Sequence, residues 1–536
     1  MKGQIMNEQI ITSQIGFFPE DKKKAVIRGG QPSKFQVVNV KNNCVVYQGD
    51  LSSPIENIAA GEHNYIADFS ELIEEGTYVI KVKDLEDSYP FVIGINIYNE
   101  LIESASHFFY LQRCGCHIPK LYGNDYAHLL CHHTPARIYG TDRFMNVNGG
   151  WHDAGDYGRY IVAAAVTVAD LLLSYEASPE LMGKELAIPE LDYAMPDLLV
   201  EIKYELDWML KMQDVKTGKV YHKVTCSSFP GFVMPELETE ELVISPASVT
   251  ATATFAAVMA MAMRFYINYD GEFARTCIRA SVAAYDAMKG MFMPGGFRNP
   301  NGVVTGEYGD SNDVDERYWA AAELYKTTGD EVYRKDFEQY AKTEILHGYG
   351  WEDVGSYGNL AYITTKFEID EALVTQIKKT MLTLADNYLT LSSKDSYGVG
   401  LSITDYIWGS NMLVAGIGNH LYDGYRITGE TKYLDAAKEQ LHYLLGKNPT
   451  GYCYVTGFGS KSPVNPHHRP SAAINKPMAG MLVGGPDSGL HDPDALAMLE
   501  KEPPAKCYID VLGSYSTNEI TIYWNSALLY LMAVVC

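Results

Sequence analysis

Residues 97–115, IYNELIESASHFFYLQRCG, are the stretch in which the hydrophobic pattern of the chain changes. Apolar residues recur here at spacings of three and four, which predicts an amphipathic helix. In residues 9–95, short apolar and polar runs alternate and are separated by Gly, Asn, Pro and Asp, which is typical of a small antiparallel β-sandwich. We therefore predict a β-sandwich in residues 1–95 and a second domain in residues 96–536.

The second domain reads as helical. About a dozen segments, such as RYIVAAAVTVADLLLSYE (159–176) and NEITIYWNSALLYLMAVV (518–535), have helical periodicity, and no strand pattern lies between them. The connecting segments are long and rich in Gly, Pro, Tyr and Trp. Long-looped helices without a sheet favour a toroid of paired helices, with the function carried by the loops.

Composition excludes several classes of partner. The hydrophobic content of 47% is that of a globular protein, and the net charge of −24 argues against nucleic acid and anionic membranes. No apolar stretch reaches the roughly 20 residues of a membrane span, and the N-terminal residues lack the apolar core of a secretory signal. Nine scattered cysteines do not resemble a disulfide framework. We expect a cytoplasmic protein, or a secreted one if a signal was removed, with no evident protein partner.

The stretch GGWHDAGDYGRY (149–160) places Asp153 and Asp156 three residues apart, just before a predicted helix. Aspartates are common at turns and helix starts, so a capping role is one interpretation. The other is a shared carboxylate site, because like charges held close raise the pKa of one member and make it a base or a water holder. Trp151 and Tyr157 beside the pair fit either packing or a platform for a sugar ring.

A base in such a site requires an acid, and the C-terminal segment offers Glu519. This residue lies at the start of a strongly apolar predicted helix, and a glutamate in a first helical turn is often only a capping residue. Neither the aspartate pair nor Glu519 decides between the interpretations by itself.

Soft metal ligands cluster within about forty residues ahead of the aspartate pair. The residues Cys114, Cys131, His132 and His152 would close a tetrahedral zinc site, although a lone Cys or His is usually a core or surface residue. Four protein ligands leave no position for water, so the zinc would be structural. His152 adjoins Asp153, so the metal would fix the aspartate loop in place.

An acidic run, EYGDSNDVDERYW (307–319), clusters Asp310, Asp313, Asp315 and Glu316. It lacks the glycine and the final glutamate of an EF-hand loop. A solvated helix start and a calcium site built from hard oxygens both remain open.

Together these motifs resemble glycoside hydrolase family 9, the inverting cellulases, over nearly the whole chain. The stretch 149–160 resembles the aspartate loop of that family, GFGSKSPVNPHHRPS (457–471) its substrate loop, and YIWGSN (406–411) is also similar. The C-terminal stretch resembles the acid motif of the family at Tyr508, Asp510, Tyr515, Glu519, Thr521, Asn525 and Ser526. Residues 1–95 resemble the immunoglobulin-like module of one subgroup, which contains cellodextrinases and endoglucanases.

The resemblance implies an (α/α)6 barrel whose loops form a sugar cleft. It implies that Asp156 is the catalytic base, Asp153 holds the nucleophilic water and Glu519 is the general acid. It implies that His467, Arg469 and Tyr515 contact the sugar, and we add Trp408 and Trp151 as further substrate-binding candidates. It also implies a structural zinc site at Cys114, Cys131, His132 and His152. A calcium site is implied near Ser311, Asp315 and Glu316, with Asp353 as a candidate for the remaining ligand. No organic cofactor is expected.

The expected reaction is inverting hydrolysis of β-1,4-glucan in cello-oligosaccharides and soluble cellulose. Such a reaction needs an acid and a base roughly 6.5–9.5 Å apart, with room for a water. An exo-β-D-glucosaminidase acting on chitosan oligosaccharides is the alternative substrate class. A non-catalytic carbohydrate-binding protein and a zinc hydrolase are alternatives from other classes.

Overall fold

The computed structural model describes residues 8–190 and 194–536. In the first of these ranges, short strands form a two-sheet sandwich that confirms the predicted N-terminal fold. The strands are β1 Ile10–Ile11, β2 Gly16–Phe17, β3 Lys24–Arg28, β4 Lys34–Asn39, β5 Val45–Asp50, β6 Ile55–Asn57, β7 Glu62–Asp68, β8 Gly76–Lys81 and β9 Phe91–Ile93.

One sheet has the strand order β1-β3-β7-β6 and the other β2-β9-β8-β4-β5. Strands β3 and β7 are antiparallel, with Val26 opposite Ile66. Alternate side chains point between the sheets, so Phe17, Ile27 and Phe91 are buried in a core separate from that of the helices. The predicted boundary at residue 95 falls between the last strand, which ends at residue 93, and the first helix, which begins at residue 99.

The helices of the second region are α1 Asn99–Leu111, α2 Lys120–Gly123, α3 Ile161–Ala177, α4 Pro179–Met182, α5 Asp197–Lys211, α6 Val249–Tyr266, α7 Gly271–Lys289, α8 Val314–Thr328, α9 Glu331–Thr343, α10 Gly355–Ile363, α11 Glu371–Lys394, α12 Ser410–Thr428, α13 Thr431–Leu444, α14 Arg469–Ile474, α15 Pro493–Leu499, α16 Tyr515–Asn518 and α17 Ile522–Val535.

Six of these helices form an inner ring: α3, α6, α8, α10, α12 and α17. Inner helices are buried along most of their surface, and each packs on an amphipathic outer helix from the set α1, α5, α7, α9, α11 and α13. This arrangement confirms the (α/α)6 barrel. Within the described ranges, α6 alone is long and apolar enough to cross a membrane, and its place in the inner ring accounts for that composition.

Five short strands were not expected in this region. Strands β10 Ala136–Ile138, β11 Phe144–Met145, β12 Arg159–Tyr160, β13 Lys223–Thr225 and β14 Val243–Ile244 form a small sheet in the order β11-β10-β14-β13-β12. Strands of two or three residues are too short for an alternating pattern to reveal them. They tie the segment before α3 to the segment between α5 and α6.

The sandwich is docked on the barrel by polar contacts. The guanidinium Nε of Arg28 donates to the Tyr397 hydroxyl at 2.8 Å, and the amide of Asn57 donates to Asp395 at 2.7 Å. The amide oxygen of Gln14 accepts from the backbone N–H groups of Ser460 and Lys461. The sandwich therefore contacts the stretch that leads into the predicted substrate loop.

Candidate active site

A cleft of about 1300 Å³ opens at one end of the barrel. The segments that line it directly precede the inner helices α3, α8, α10, α12 and α17, so the N-terminal ends of these helices converge on the cleft. Asp153, Asp156 and Glu519 all line this cleft although 363 residues separate Asp156 from Glu519 in the chain.

The aspartate loop is held between two other cleft segments. The N–H of Ile522 donates to the carbonyl of Asp153 at 2.8 Å, and the N–H of Arg469 donates to the carbonyl of Gly155 at 3.0 Å. A side chain at Gly155 would place its Cβ 2.0 Å from the carbonyl oxygen of His467, so glycine is required there by close packing. These contacts fix the position of the aspartate loop relative to the substrate loop (457–471) and to the segment that carries Glu519.

The carboxyl group of Asp153 has one satisfied oxygen and one free oxygen. Its Oδ2 accepts from the Tyr308 hydroxyl at 2.6 Å, whereas its Oδ1 is buried without a hydrogen-bond partner among the described residues. Tyr308 has a φ of +48°, a strained conformation for a bulky residue, and its ring packs between those of Tyr160 and Trp351. A free buried acceptor in a cleft is suited to hold a water molecule.

The carboxyl group of Asp156 is buried as well, but it has compensating neighbours. Its Oδ2 accepts from the N–H of Gly158 at 3.0 Å. Burial raises the pKa of Asp156, while the positive charge of Arg469 and the Gly158 N–H act in the opposite direction. A carboxylate with a moderately raised pKa is a stronger base than a solvated one.

Glu519 lies in the break between α16 and α17, with an extended backbone at φ −74° and ψ 165°. The expectation that it begins the last helix is wrong, because α17 starts at Ile522 and Thr521 caps it by accepting from the N–H of Trp524. Burial and then the negative charge of Asp156 raise the pKa of Glu519 well above its ordinary value. The charge of Asp156 therefore favours the protonated form of Glu519, while burial raises the pKa of Asp153 well above its ordinary value as well.

Four of the predicted sugar contacts line the same cleft: His467, Arg469, Tyr515 and Trp408. The guanidinium of Arg469 donates to the Gly155 carbonyl at 2.8 Å, and His467 Nδ1 lies 2.7 Å from the Leu512 carbonyl. The Trp408 side chain is 42% exposed, and its ring lies 5.4 Å from that of Tyr515.

Trp151 does not line the cleft, which corrects the expectation that it contacts sugar. Its side chain is only 1% exposed, its indole N–H donates to Glu201 at 2.8 Å, and its ring packs on Phe109. Tyr157 is buried too, with its hydroxyl donating to the Val233 carbonyl. The loop turns its aspartates toward the cleft. Both aromatic rings therefore support the aspartate loop on the side that faces away from the cleft.

The four predicted zinc ligands lie together, with ligand atoms within 4.8 Å of one another. Cys114 Sγ lies 3.5 Å from His132 Nδ1, and His152 Nε2 lies 3.3 Å from the same nitrogen. Tetrahedral zinc with ordinary bond lengths requires about 3.6 Å between sulfur and nitrogen and about 3.3 Å between two nitrogens. The donor set and spacing therefore fit zinc. The Glu238 carboxylate lies 2.9 Å from the other ring nitrogen of His132, Nε2, and orients the ring.

A second cluster consists of Asp310, Asp315 and Glu316, whose carboxylate oxygens also lie within 4.8 Å of one another. Four of these oxygens are buried without a hydrogen-bond partner in the described ranges, including both of Glu316. Burial raises the pKa of Asp315 to about 7 and of Asp310 to about 6. Hard, unpaired oxygens in this arrangement fit a calcium ion.

The composition of this cluster differs in part from the predicted ligand set. Asp315 and Glu316 belong to it, and Ser311 is an exposed neighbour in sequence. Asp353 lies outside this set of mutually close oxygens, although, in addition to burial, its charge helps to raise the pKa values of Asp315 and Asp310. Asp310 takes part although it was not among the predicted ligands.

Sequence reasoning missed Tyr308, which lies within the acidic run and just before α8. The signal that could have revealed it is its position, because the aspartate pair and Glu519 also precede inner helices. No residue pattern by itself marks a tyrosine that supports a carboxylate.

Comparisons with known proteins agree with this geometry. The family model described as glycosyl hydrolase family 9 matches residues 98–532, and that of the cellulase N-terminal Ig-like domain matches residues 6–87. A cellodextrinase of Butyrivibrio fibrisolvens is 38% identical, with 98% of this chain and 99% of the relative covered.

Solved structures are similar over the same length. A single-mutant thermostable endoglucanase from Alicyclobacillus acidocaldarius has a TM-score of 0.93 and 35% identity, covering 98% of this chain and 99% of that one. A zinc-binding triple mutant of a family 9 endoglucanase has a TM-score of 0.91 and 33% identity, covering 96% and 99%. From the sandwich to the last inner helix the protein matches cellulases in sequence and structure, and the chain belongs to glycosyl hydrolase family 9.

Proposed function

We propose that this glycoside hydrolase cleaves β-1,4-glucosidic bonds of cello-oligosaccharides and soluble cellulose with inversion at the anomeric carbon. The observation that carries the proposal is that one cleft contains a carboxyl from the C-terminal segment, Glu519, and two buried carboxyls from the early loop, Asp153 and Asp156. The negative charge of Asp156 raises the pKa of Glu519 and suits it to act as the acid, whereas the positive charge of Arg469 favours ionised Asp156 as the base, which is the division that an inverting glycosidase requires.

In the proposed reaction, Glu519 gives its proton to the glycosidic oxygen as the bond from that oxygen to the anomeric carbon breaks. A water attacks the same carbon from the opposite face, and Asp156 takes the proton that the water loses. Asp153 orients this water through its free Oδ1, while Tyr308 fixes its other oxygen. The sugar released has the α configuration.

The substrate class is supported by the relatives. One similar protein is named a cellodextrinase and others are named endoglucanases, so β-linked glucose chains are the shared theme. Cleavage of short cellodextrins is consistent with the cytoplasmic location that we propose, since a protein in that compartment does not meet crystalline cellulose.

The two metal clusters take structural roles in this proposal. Zinc bound by Cys114, Cys131, His132 and His152 holds the aspartate loop, because His152 adjoins Asp153. Calcium bound by Asp310, Asp315 and Glu316 neutralises the start of α8, directly after Tyr308. Neither ion takes part in bond cleavage, because both clusters consist of side chains other than those assigned to the acid, the base and the water.

The stereochemistry of the first product tests the reaction. Proton NMR of cellopentaose hydrolysis is expected to detect the α anomer before mutarotation produces the β anomer. Initial appearance of the β anomer would rule out inversion and with it the assigned roles.

A second substrate class has one observation in its favour. The cleft lining includes Glu307, Glu352, Asp353 and Asp405 in addition to the catalytic acids, and an acidic lining suits a cationic amino sugar. Parallel assays on cellopentaose and on chitosan pentamer decide between the two. We expect faster cleavage of cellopentaose, and the reverse order would identify an exo-β-D-glucosaminidase.

A purely carbohydrate-binding role is disfavoured by the same cleft. Burying Asp153 and Asp156 beside a third carboxyl group, Glu519, costs stability, and a protein that only binds sugar gains nothing from it. Their retention is explained by catalysis.

A further inference from the structure

Strand β13, which begins at Lys223, lies between two segments of the candidate active site. Its backbone pairs antiparallel with β12, which ends the aspartate loop. Its side chains contact residues 305–308, here called the tyrosine segment, which ends at Tyr308. One strand therefore contacts both the aspartate loop and the segment whose tyrosine donates a hydrogen bond to Asp153.

The side chain of Lys223 is fully buried, and its ammonium group contacts the tyrosine segment. Its Nζ donates to the Thr305 hydroxyl at 2.9 Å and to the Gly306 carbonyl at 2.5 Å, and the Thr305 carbonyl lies 3.4 Å away. All three acceptors are uncharged, so none of them forms an ion pair that would offset the cost of taking the ammonium out of water. Stability by itself does not explain a lysine in this place, which indicates a role in the active site.

The residues on either side of Lys223 extend the same contact. The Nε2 of His222 lies 2.9 Å from the Glu307 carbonyl, which can only accept, so this nitrogen is the donor. The Thr225 hydroxyl lies 2.8 Å from that of Thr305. The carbonyls of three consecutive residues, 305 to 307, are therefore held by the side chains of two consecutive residues at the start of β13.

Tyr308 follows these three residues directly and depends on them. Its φ of +48° is strained for a bulky side chain, and such a conformation persists only where the surrounding contacts impose it. Its hydroxyl lies 2.6 Å from Asp153 Oδ2, so a small displacement of the backbone would break that hydrogen bond. Lys223 itself does not line the cleft and can act on Asp153 only through the tyrosine segment.

We propose that Lys223 is a positioning residue of the active site: its hydrogen bonds to Thr305 and Gly306 hold Tyr308 where its hydroxyl fixes Asp153, and so orient the attacking water. The inference deepens the proposed function and rests on it, because the water held by Asp153 belongs to that reaction. Lys223 is not a catalytic residue, since it touches neither the substrate cleft nor the reacting groups.

The test begins with Lys223→Met, which keeps the length of the side chain and removes its three N–H donors. We expect kcat on cellopentaose to fall about tenfold while KM changes less than about twofold, because the cleft lining is retained. The matched control is Lys219→Met, four residues earlier and exposed, which should change neither value. Unchanged kcat in Lys223→Met, or a loss that appears only in KM, would overturn the inference.

A double-variant cycle with Tyr308→Phe separates positioning from a general loss of structure. If Lys223 acts through the tyrosine hydroxyl, Lys223→Met should lower kcat by less than about threefold in the Tyr308→Phe background. The full tenfold loss in both backgrounds would contradict the inference. Should Lys223→Met fail to fold, Thr305→Val removes one acceptor of the same contact and replaces it in the cycle, with the same criteria.

Crystal structures of the wild type and of Lys223→Met distinguish failure of this inference from failure of the proposed function. A Tyr308 hydroxyl that no longer lies within hydrogen-bond distance of Asp153 in the variant supports the positioning role even if the wild type cleaves no glucan. An unmoved hydroxyl in the variant would overturn the role, whereas the proposed function would still be judged by the anomer that the wild type releases.

Discussion

The aspartate loop (149–160) and the glutamate segment (515–522) reach the same cleft, and backbone hydrogen bonds help to hold both of them. In the loop, buried charged side chains add to these bonds: Arg159 donates to the carbonyls of Val147 and Gly149, and Glu205 accepts from the N–H of Trp151. The glutamate segment is fixed by backbone pairing, since Glu519 pairs with His467 and its carbonyl accepts from the N–H of Gly484 at 2.9 Å.

The electrostatic difference between the two regions is the more instructive one. Asp156 is buried and Glu519 is partly exposed to the cleft, and desolvation raises the pKa of both carboxyl groups. For Asp156 the next influence is the positive charge of Arg469, which favours the ionised form. For Glu519 the next influence is the negative charge of Asp156, which favours the neutral form. Asp156 is therefore assigned as the base and Glu519 as the acid, because the charges that act on them after burial have opposite signs.

The largest effect is expected for Glu519→Gln. An amide cannot protonate the leaving oxygen, so kcat on cellopentaose should fall by about 10⁴-fold with little change in Tm. The exposed Glu500→Gln serves as the control and should keep full activity. Retention of a tenth or more of kcat would contradict the role of the acid.

Asp156→Asn should lower kcat by about 10³-fold because the attacking water loses its base. Added azide needs no base and should partly restore turnover in this variant, with an α-glycosyl azide as product. Azide should not rescue Glu519→Gln, in which the leaving group still lacks a proton. Mass spectrometry of the products measures the rescue. Equal rescue of both variants would contradict the proposed difference between Asp156 as the base and Glu519 as the acid.

Zinc loss should disturb the loop and leave the glutamate segment in place. Cys131→Ser is expected to lose bound zinc, measured by inductively coupled plasma mass spectrometry, with a lower Tm and kcat lowered about tenfold. The exposed Cys44→Ser is the control and should keep its metal. Immediate loss of turnover on adding a chelator, at unchanged Tm, would instead place the zinc in the reaction.

The smallest effect is a shift in the pH profile. Glu519 must be protonated, so its ionisation sets the alkaline limb of kcat/KM. Asp156→Asn removes the charge that raises the pKa of Glu519, so the alkaline limb of the residual activity should move to lower pH, by about one unit or less. A shift to higher pH would mean that Asp156 does not repel the ionised form of Glu519.

Much of the site could be predicted from sequence because its chemistry lies in short motifs. Asp153 and Asp156 share one loop, and Cys131 and His132 are adjacent, so local spacing already places these groups together. The prediction that Trp151 contacts sugar was wrong for the same reason. Its neighbours in sequence line the cleft, whereas its own ring turns toward Phe109. Which face of a loop a side chain occupies is decided by packing against distant residues.

Tyr308 shows the same limit. Its role depends on a hydrogen bond to Asp153, 155 residues away in the chain, and no periodic pattern encodes a contact across such a separation. The short strands β10–β14 were missed because two or three residues carry no measurable alternation.

The sequence alone determined the two kinds of secondary structure, the position where one replaces the other, and the cysteines and histidines that cluster ahead of the aspartate pair. These properties depend on neighbouring residues, whose spacing sets hydrophobic periodicity and ligand chemistry. Only the tertiary structure decided that the N-terminal ends of five inner helices meet at one cleft, and so which carboxyl groups have raised pKa values. A pKa is set by burial and by charges within a few ångströms, and that environment exists only once the barrel has closed.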